Sequence, residues 1–272
     1  MEIPTRVNLM LSKHDNKVLT ETGPDTPMGN FFRRFWMPVL LISELDESDG
    51  DPVRVKILGE ELVAFRDSSG DIGLVESRCP HRQAELFWGR NEEGGLRCVY
   101  HGWKFDRKGS CLDMPSEPLD SQFKDKVNIT AYPTREWGGF IWAFMGPEEL
   151  ISNLPEFEFA KVPEGNFFVS KKLQECNWAQ SLEGAIDTAH FSFLHMLLEL
   201  PDDAPAAWHY MKADGAPRFT ILPTEVGFVI GGARKAGDLE AYWRITQFLL
   251  PNHPALLLMC KHHHFPIRHH QL

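Results

Sequence analysis

Short segments that alternate between apolar and polar residues, separated by turn-forming residues, dominate the first half of the chain. Val53–Ile57 alternates with a period of two, and residues 59–61 turn the chain into the apolar run 62–65. Residues 67–70, Asp-Ser-Ser-Gly, form a second turn and lead into an apolar run at residues 72–75. Period-two alternation bounded by Gly, Asp and Ser is typical of antiparallel strands. We therefore expect three short strands here.

Two later segments extend this β-rich pattern. Residues 98–105 and 110–112 flank a turn at 106–109 and predict a further hairpin. Residues 138–144 predict one more strand. No helical period of useful length occurs between residues 28 and 147, so we expect a small antiparallel β domain.

The second half has a different pattern, which begins after a loop rich in Pro and Glu at residues 147–165. Residues 177–198 predict a helix, because apolar residues recur at helical spacing on one face. That face consists of Trp178, Leu182, Ala185 and Ala189. Strand-like runs follow at residues 228–230 and 242–248.

This order of elements predicts an α+β fold. Residues 1–27 are polar and turn-rich and form an N-terminal segment, residues 28–150 form the β domain, and residues 151–272 form a second domain. A chain of 272 residues is long enough for two domains.

Charge and composition exclude several classes of protein. The formal charge of −10 gives no basic surface for a nucleic-acid backbone. No apolar run approaches the ~18 residues that cross a bilayer, and no basic segment followed by an apolar one opens the chain, so we expect a cytoplasmic protein without membrane contact. Five cysteines, an odd number, argue against a disulfide framework, and twelve histidines suggest metal binding.

The first candidate metal site consists of two Cys/His pairs, Cys79-x-His81 and Cys98-x-x-His101, separated by sixteen residues. Each pair lies near a predicted strand and turn, so two loops of the β domain can enclose one metal centre. Two thiolates and two imidazoles suit zinc or a mixed-ligand iron–sulfur cluster. Zinc sites usually place both thiolates on one loop, whereas here each loop carries one Cys and one His. A structural zinc site and four unrelated residues are the alternatives.

Together with Gly102-Trp103, this spacing resembles the Rieske 2Fe–2S motif, in which two cysteines hold one iron and two histidines hold the other. The resemblance implies that the four side chains bind such a cluster. Ala84 and Tyr100 stand where respiratory-chain Rieske proteins carry a further cysteine, which argues against that branch. Gln83 and Glu85 stand where relatives of the oxygenase branch often have smaller residues.

The second candidate site is Asp187-x-x-His190-x-x-x-x-His195. Asp187 and His190 share a helix face, but His190 and His195 would lie about 140° apart round a continuous helix. A metal shared by both imidazoles therefore requires the helix to break between them. Two imidazoles and a carboxylate on one face of an iron form the facial triad of non-haem Fe(II) oxygenases. Taken alone, this spacing favours two unrelated histidines; after a Rieske motif, it favours an iron site.

Both motifs in this order resemble the Rieske non-haem iron oxygenases, in particular oxygenase (alpha) subunits of the phthalate 4,5-dioxygenase type. The resemblance covers most of the chain and rests on residues 22–24, 79–82, 94–105, 114–117, 177–178, 182–184 and 186–195. It implies an antiparallel β Rieske domain followed by an α+β catalytic domain of the helix-grip, START-like type, of which this chain holds the first part.

The resemblance also implies roles and partners. His190 and His195 would bind a mononuclear Fe(II), Asp187 would bridge His190 to a cluster histidine of a neighbouring subunit, and Asn177 would lie near the iron. A head-to-tail homotrimer, or a multiple of three, follows from this bridge. Electrons would come from NADH through a separate flavin and iron–sulfur reductase. With O2, the expected reaction is hydroxylation of an aromatic, carboxylated substrate such as phthalate.

The chain departs from the family at its end. The third iron ligand, an Asp or Glu far downstream in the family, has no match in the 77 residues after His195. From Asn252 onward the residues are rich in His and unlike the family. A frameshift or premature stop is the preferred explanation, ahead of a metal-sequestering tail. At the other end, Met10 rather than Met1 resembles the start of relatives.

The reaction itself stays open at this point. Arg218 or Arg244 is the candidate to bind a ring carboxylate through a bidentate contact, and the alternative is that both are surface or structural arginines. Aryl-ether O-demethylation uses the same machinery as ring hydroxylation. Two further hypotheses are a Rieske electron-transfer protein without oxygen chemistry and an inactive fragment that lacks the third iron ligand.

Overall fold

The computed structural model describes residues 10–163, 165–238, 240–251 and 253–263. It separates into two compact units, Met1–Leu173 and Gln174–Leu272. The alternative start at Met1 and the histidines at the end of the tail, from residue 264 onward, lie outside the described residues. Across the described residues, every helix is too short or too polar to span a membrane.

Three antiparallel sheets build the first unit. Its helices and strands are α1 (Lys13–Thr20), α2 (Pro27–Phe32), β1 (Trp36–Leu41), β2 (Val53–Ile57), β3 (Glu60–Arg66), β4 (Ile72–Glu76), β5 (Arg90–Glu92), β6 (Gly95–Arg97), β7 (Lys104–Phe105), β8 (Cys111–Asp113), β9 (Thr134–Trp137) and β10 (Phe140–Phe144). The strand orders are β1-β10-β9, β2-β3-β4 and β5-β6-β7-β8. The expectation of a small antiparallel β domain is confirmed.

The three strands predicted from the alternating segment and the two apolar runs form where they were expected, as β2, β3 and β4. The turn between β3 and β4 is fixed by Asp67, whose carboxylate accepts the backbone N–H groups of Ser69 (2.9 Å) and Asp71 (3.0 Å). Such a carboxylate stabilises a turn because it satisfies backbone donors that the sheet leaves unpaired.

The prediction of a strand over residues 98–105 is wrong for its first six residues. Only β7 is a strand there, because the preceding residues close a loop in which the Cys98 N–H donates to the carbonyl oxygen of Trp103 (2.8 Å). An apolar composition alone does not distinguish such a buried loop from a strand.

The N-terminal turn-forming residues are helix caps, and the two helices they begin were not predicted from the sequence. The Ser12 hydroxyl oxygen accepts the Asp15 N–H (3.0 Å) at the start of α1, and the Thr26 hydroxyl oxygen accepts the Gly29 N–H (3.1 Å) at the start of α2. Pro27 occupies the first position of α2, where its missing N–H costs nothing. Both helices are too short to show an apolar period.

The core of the first unit gathers apolar residues from two of its sheets and from the loops that carry the cysteines. Its buried members are Val63, Phe65, Val75, Cys79, Leu86, Leu96, Cys98, Trp103, Phe105, Cys111, Met114 and Ile129. The two predicted cysteine ligands are therefore part of the core, and their positions are fixed by packing.

A four-stranded antiparallel sheet with two helices builds the second unit. Its elements are α3 (Trp178–Ile186), α4 (Ala206–Ala213), β11 (Arg218–Thr224), β12 (Gly227–Lys235), β13 (Glu240–Leu249) and β14 (His253–His263). The strand order is β11-β12-β13-β14. The strands expected at residues 228–230 and 242–248 are confirmed and are longer than predicted; α4, β11 and β14 were not predicted.

The helix predicted over residues 177–198 ends at Ile186. Asp187 is extended (φ −74°, ψ 140°), and its carboxylate accepts the N–H groups of Ala189 (2.8 Å) and His190 (3.0 Å). An aspartate that binds nearby backbone donors in this way competes with the helix. The helix therefore ends before both histidines rather than between them, and the continuous helix that would hold the two imidazoles about 140° apart does not form.

Strand register defines two faces of this sheet. Arg234 on β12 lies opposite Tyr242 on β13, and Gly232 lies opposite Arg244. Cross-strand partners point to the same face, so these residues share one face. The Tyr210 ring of α4 stacks on Tyr242 with ring centroids 5.4 Å apart, which places α4 over that face.

Candidate metal centres

The two loops that carry the Cys/His pairs close by the same hydrogen-bond pattern. The Cys79 N–H donates to the Ala84 carbonyl oxygen, and the Gln83 N–H donates to the Cys79 carbonyl oxygen, both at 2.9 Å. In the second loop, the same pair of bonds joins Cys98 to Trp103 (2.8 Å) and to Gly102 (3.0 Å). Each cysteine thus bonds to the residues four and five positions later.

The residue four positions after each cysteine has a positive φ. Gln83 has φ 58° and Gly102 has φ 79°. Loops that close in this way need a left-handed residue at that position, which glycine adopts most readily. The unusual Gln83 noted in the sequence therefore occupies a strained backbone position, which its exposed side chain permits.

The two thiols form a buried pair. Cys79 and Cys98 are 1% and 2% exposed and belong to the same packed core. Burial, reinforced by the neighbouring Cys98 and Cys111, raises the pKa of Cys79 to about 11. A thiol in this setting becomes a thiolate at neutral pH only when a cation stabilises it, as a coordinated metal does.

The two imidazoles form a second pair. The ring centroids of His81 and His101 are 4.4 Å apart with an angle of 59° between the rings. Both Nδ1 atoms are buried and have no hydrogen-bond partner. Because buried polar atoms are nearly always satisfied, two orphaned ring nitrogens side by side fit a metal held by both. A thiol pair beside an imidazole pair fits a binuclear cluster with one iron on sulfur and one on nitrogen.

Neighbouring side chains fix the orientation of this site. The Trp103 indole stacks on His81, with centroids 4.6 Å apart and an angle of 7°, and its N–H donates to the Ser116 hydroxyl (3.2 Å). A guanidinium nitrogen of Arg97 donates to the carbonyl oxygen of Gly102 (2.6 Å) and to the carboxylate of Asp113 (2.8 Å). The loops are therefore held from their sides as well as by their own backbone.

The second candidate site begins directly after α3. Asp187 Oδ2 lies 2.8 Å from His190 Nδ1, while the two carboxylate oxygens also accept the N–H groups of Ala189 and His190. Burial alone would raise the pKa of Asp187, but these donors outweigh it and lower the pKa below its usual value. Asp187 is thus an ionised acceptor that leaves Nε2 of His190 available to a metal.

The two predicted iron ligands lie side by side. The His190 and His195 ring centroids are 5.0 Å apart with an angle of 60°. When an imidazole nitrogen lies about 2.1 Å from an ion, the centre of its ring lies about 3 Å from that ion. Two such rings, whose bonds to the ion make roughly a right angle, therefore have centres about 5 Å apart. The spacing of these rings therefore fits one ion between them.

Asn177 lies at the opposite end of α3 from Asp187. It is the N-cap of α3, and its side chain accepts from the Gln180 N–H (3.0 Å) and donates to the Gln180 side-chain oxygen (3.1 Å). Ten residues of rise place it ~15 Å from Asp187. In the described part of the chain, no three His, Cys, Asp or Glu side chains are grouped to hold one metal ion, and the donors stand as pairs.

The two candidate substrate arginines lie on opposite faces of the sheet. Arg218 is exposed and pairs with Ala233, whereas Arg244 pairs with the adjacent Gly232. The Arg244 guanidinium carbon lies 3.6 Å from the centre of the Phe191 ring. Since neighbouring strand positions point to opposite faces, no single ligand contacts both arginines.

Phe191 joins Arg244 to the histidine pair. Its ring centroid lies 4.7 Å from that of His190 and 4.8 Å from that of His195. Neither Phe191 nor the buried Arg234, whose guanidinium donates to Thr188, was predicted from the sequence. The glycines that precede Arg234 in β12 were the only available indication, because glycine inside a strand often marks a close backbone approach.

Comparisons with known proteins identify the class of the first unit. Residues 35–131 match the Rieske [2Fe-2S] domain family, and residues 143–260 match the family described as LigXa C-terminal domain like. The loop geometry and this match define a Rieske domain, which is the kind that carries a 2Fe–2S cluster.

Curated relatives extend the match to both units. The chain is 44% identical over 241 residues to the 3-chlorobenzoate-3,4-dioxygenase oxygenase subunit of Comamonas testosteroni, covering 87% of this chain and 55% of that protein. It is 43% identical over 251 residues to the phthalate 4,5-dioxygenase oxygenase subunit of Pseudomonas putida, covering 89% and 57%. The chain thus spans little more than half the length of these relatives.

A solved structure shows the same fold. The crystal structure of dicamba monooxygenase bound to dicamba superposes with a TM-score of 0.63 at 21% identity, covering 80% of this chain and 64% of that one. The chain carries a Rieske domain followed by a region like the LigXa C-terminal domain, and it is similar to oxygenase subunits of chlorobenzoate and phthalate dioxygenases, which are oxidoreductases. The family predicted from the motifs and the α+β fold class are confirmed.

Proposed function

We propose that this chain is the oxygenase component of a Rieske system. It would use O2 and electrons from NADH, delivered by a separate flavin and iron–sulfur reductase, to hydroxylate an aromatic, carboxylated substrate such as phthalate. The observation that carries the proposal is the second site: His190 is oriented by Asp187 and lies beside His195, 5.0 Å away. A protein that only carries electrons through its cluster does not need a second pair of imidazoles placed to bind a metal.

Cys79, Cys98, His81 and His101 would hold the 2Fe–2S cluster, and His190 with His195 would hold a mononuclear Fe(II). When bound, the cluster supplies single electrons and the iron activates O2. The chain's own contribution is orientation. Trp103 keeps the His81 ring in one plane, and Asp187 keeps the Nδ1 atom of His190 occupied so that Nε2 faces the metal.

Asp187 has capacity for one more hydrogen bond. An ionised carboxylate offers about four acceptor positions, and the Ala189 and His190 backbone N–H groups with the His190 ring occupy three. A cluster histidine of a neighbouring subunit, donating from its outer ring nitrogen, would fill the fourth. This supports the head-to-tail homotrimer, and a sedimentation mass of one chain at working concentration would contradict it.

Arg244 is the better candidate for the substrate carboxylate. It lies on the same face as the histidine pair and is joined to it through Phe191, whereas Arg218 lies on the other face. A ring packed near Phe191 would bring its carboxylate within reach of a guanidinium, which binds carboxylates in a bidentate manner.

A single-turnover experiment tests the proposal. The purified chain is loaded with iron and sulfide, its cluster is reduced chemically, and 18O2 is added with phthalate or other benzoates. The expected result is an 18O-labelled ring-hydroxylated product from the wild type and none from H190A or H195A, both with intact cluster absorbance.

The other outcomes separate the alternatives. Formaldehyde released from methoxybenzoates, without hydroxylation of unsubstituted benzoates, would identify an O-demethylating monooxygenase. A cluster that reduces and reoxidises with no product from any aromatic acid would contradict the oxygenase proposal and favour an electron-transfer protein. A colourless chain that binds zinc would contradict the cluster as well.

A further inference from the structure

Arg234 is a buried cation on β12 whose hydrogen bonds go to neutral acceptors. It is 1% exposed, and its Nε donates to the Asp214 carbonyl oxygen at 3.1 Å. One terminal nitrogen donates to the Thr188 hydroxyl at 3.1 Å, and the other donates to the Thr188 carbonyl oxygen and to the Ser192 hydroxyl, the latter at 3.4 Å. Hydrogen bonds from a charged donor are stronger than those from a neutral one, so this side chain holds its acceptors firmly.

These acceptors lie on both sides of His190. Thr188 precedes His190 by two residues and Ser192 follows it by two. The intervening residues form a single 3-10 turn, His190–Ser192, which has few internal hydrogen bonds of its own. The direction of the His190 ring therefore depends on how the two ends of this turn are anchored.

A second, independent contact anchors the same segment. Gly232 lies two residues before Arg234 on β12 and hence on the same face. A Cβ atom at Gly232 would lie 2.4 Å from Cγ2 of Thr188, so only glycine admits Thr188 at this depth. Thr188 is 2% exposed.

We propose that Arg234 and Gly232 form a seat on β12 that holds Thr188 and thereby positions His190 for metal binding. Both are positioning residues, because they act through Thr188 and the turn. The inference rests on the proposed function for its consequence, the binding of Fe(II), but the seat itself is a property of this chain that is tested separately.

The first test measures the segment without metal. Hydrogen exchange is compared between the 272-residue wild-type chain and the variants R234M and G232A. Both variants should speed exchange of the amides at residues 189–193 by tenfold or more and leave the strands of β2, β3 and β4 unchanged. Unchanged protection of residues 189–193 in both variants would overturn the proposal.

A rescue pair guards against simple misfolding. T188S keeps the hydroxyl that Arg234 binds and removes the methyl group that a Cβ at Gly232 would meet. The double variant G232A/T188S should therefore recover most of the protection that G232A loses, whereas G232A with T188V, which keeps the volume and removes the hydroxyl, should not. Equal behaviour of the two double variants would show that the contact at Gly232 does not hold the turn.

The second test measures metal affinity. Fe(II) titration of the cluster-loaded chain should show about 10- to 100-fold weaker binding in R234M and G232A, as for other residues that orient a metal ligand, with cluster absorbance unchanged as the internal control. R234K should weaken binding less, because it retains a charged donor. If exchange increases in the variants but wild-type Fe(II) binding does not require His190, the seat stands and the proposed function fails. If binding requires His190 and the variants retain full affinity, the positioning role is refuted.

Discussion

Replacing Gly102 by alanine tests two reasons why the second cluster loop needs glycine at this position, namely its positive φ and its close contact with Pro115. Gly102 has φ 79°, and a Cβ there would lie 2.6 Å from Cγ of Pro115. Alanine in the left-handed region costs about 1–2 kcal/mol, and forcing an extra methyl group into packed surroundings costs a further ~1–3 kcal/mol. We therefore expect G102A to lower the free energy of unfolding by about 2–5 kcal/mol.

Gly94 provides the matched control. Its φ of 76° is nearly the same, but nothing lies within 4 Å of the Cβ that alanine would add. G94A should therefore cost only the ~1–2 kcal/mol of backbone strain. The difference between the variants measures the contact with Pro115, and G102A/P115A should recover most of it.

Urea unfolding followed by tryptophan fluorescence gives the free energies, and visible absorbance with iron and sulfide analysis gives the cluster content. A unit of this size loses about 2–4 °C in Tm for each 1 kcal/mol. G102A should fall several degrees below G94A and should also lose cluster, because His101 and Trp103 flank the displaced residue. Equal losses for G102A and G94A would refute the argument that Pro115 demands glycine.

Three further variants test other contacts. Y132F removes the hydroxyl that donates to the Glu60 carboxylate (2.7 Å) and should lower the free energy of unfolding in urea by ~1 kcal/mol. Because burial raises the pKa of Tyr132, the wild type should lose stability above pH ~10, where the unfolded tyrosine ionises and the folded one does not. An identical alkaline stability profile in Y132F would contradict this. D187N should weaken Fe(II) binding about 10- to 100-fold through His190 while cluster absorbance is unchanged; full affinity would argue against the orienting bond. R244M should raise KM for a carboxylated substrate about 10-fold or more without affecting a neutral analogue, and an equal rise for both would exclude a contact with the carboxylate.

The elements that were predicted correctly from the sequence are those that depend on the pattern of residues close to one another along the chain. Period-two alternation located β2, and short apolar runs bounded by turns located β3 and β4, which are buried on both faces over residues 62–65 and 72–75. The helix at residues 177–198 was over-extended because its apolar spacing continues through Ala189, while the carboxylate of Asp187 ends it by binding backbone donors. The spacing of apolar residues shows which positions can pack on one face of a helix. It does not show that a side chain competes with the helix for its backbone donors.

The candidate site divides in the same way. The candidate metal-binding side chains were predicted from their spacing together with the resemblance to Rieske oxygenases. The residues that hold them were not, because Arg234 reaches Thr188 across 46 positions and only the pairing of β12 brings the two together. Arg218 and Arg244 were equivalent in the sequence and were separated only by strand register.

Gln83 shows that the two cluster loops differ in their need for glycine at the residue with positive φ. It occupies the position that Gly102 occupies in the other loop, with φ 58°, yet its side chain is exposed. Its cost is therefore backbone strain alone, about 1–2 kcal/mol. Q83G would remove that strain but would add back ~0.5–1 kcal/mol of chain entropy, so we expect a change within about 1 kcal/mol in urea unfolding. If Q83G instead stabilised the chain by as much as G102A destabilises it, the two positions would be governed by φ alone. A small effect at residue 83 beside a large one at residue 102 would show that the second loop needs glycine for space as well as for its backbone angle.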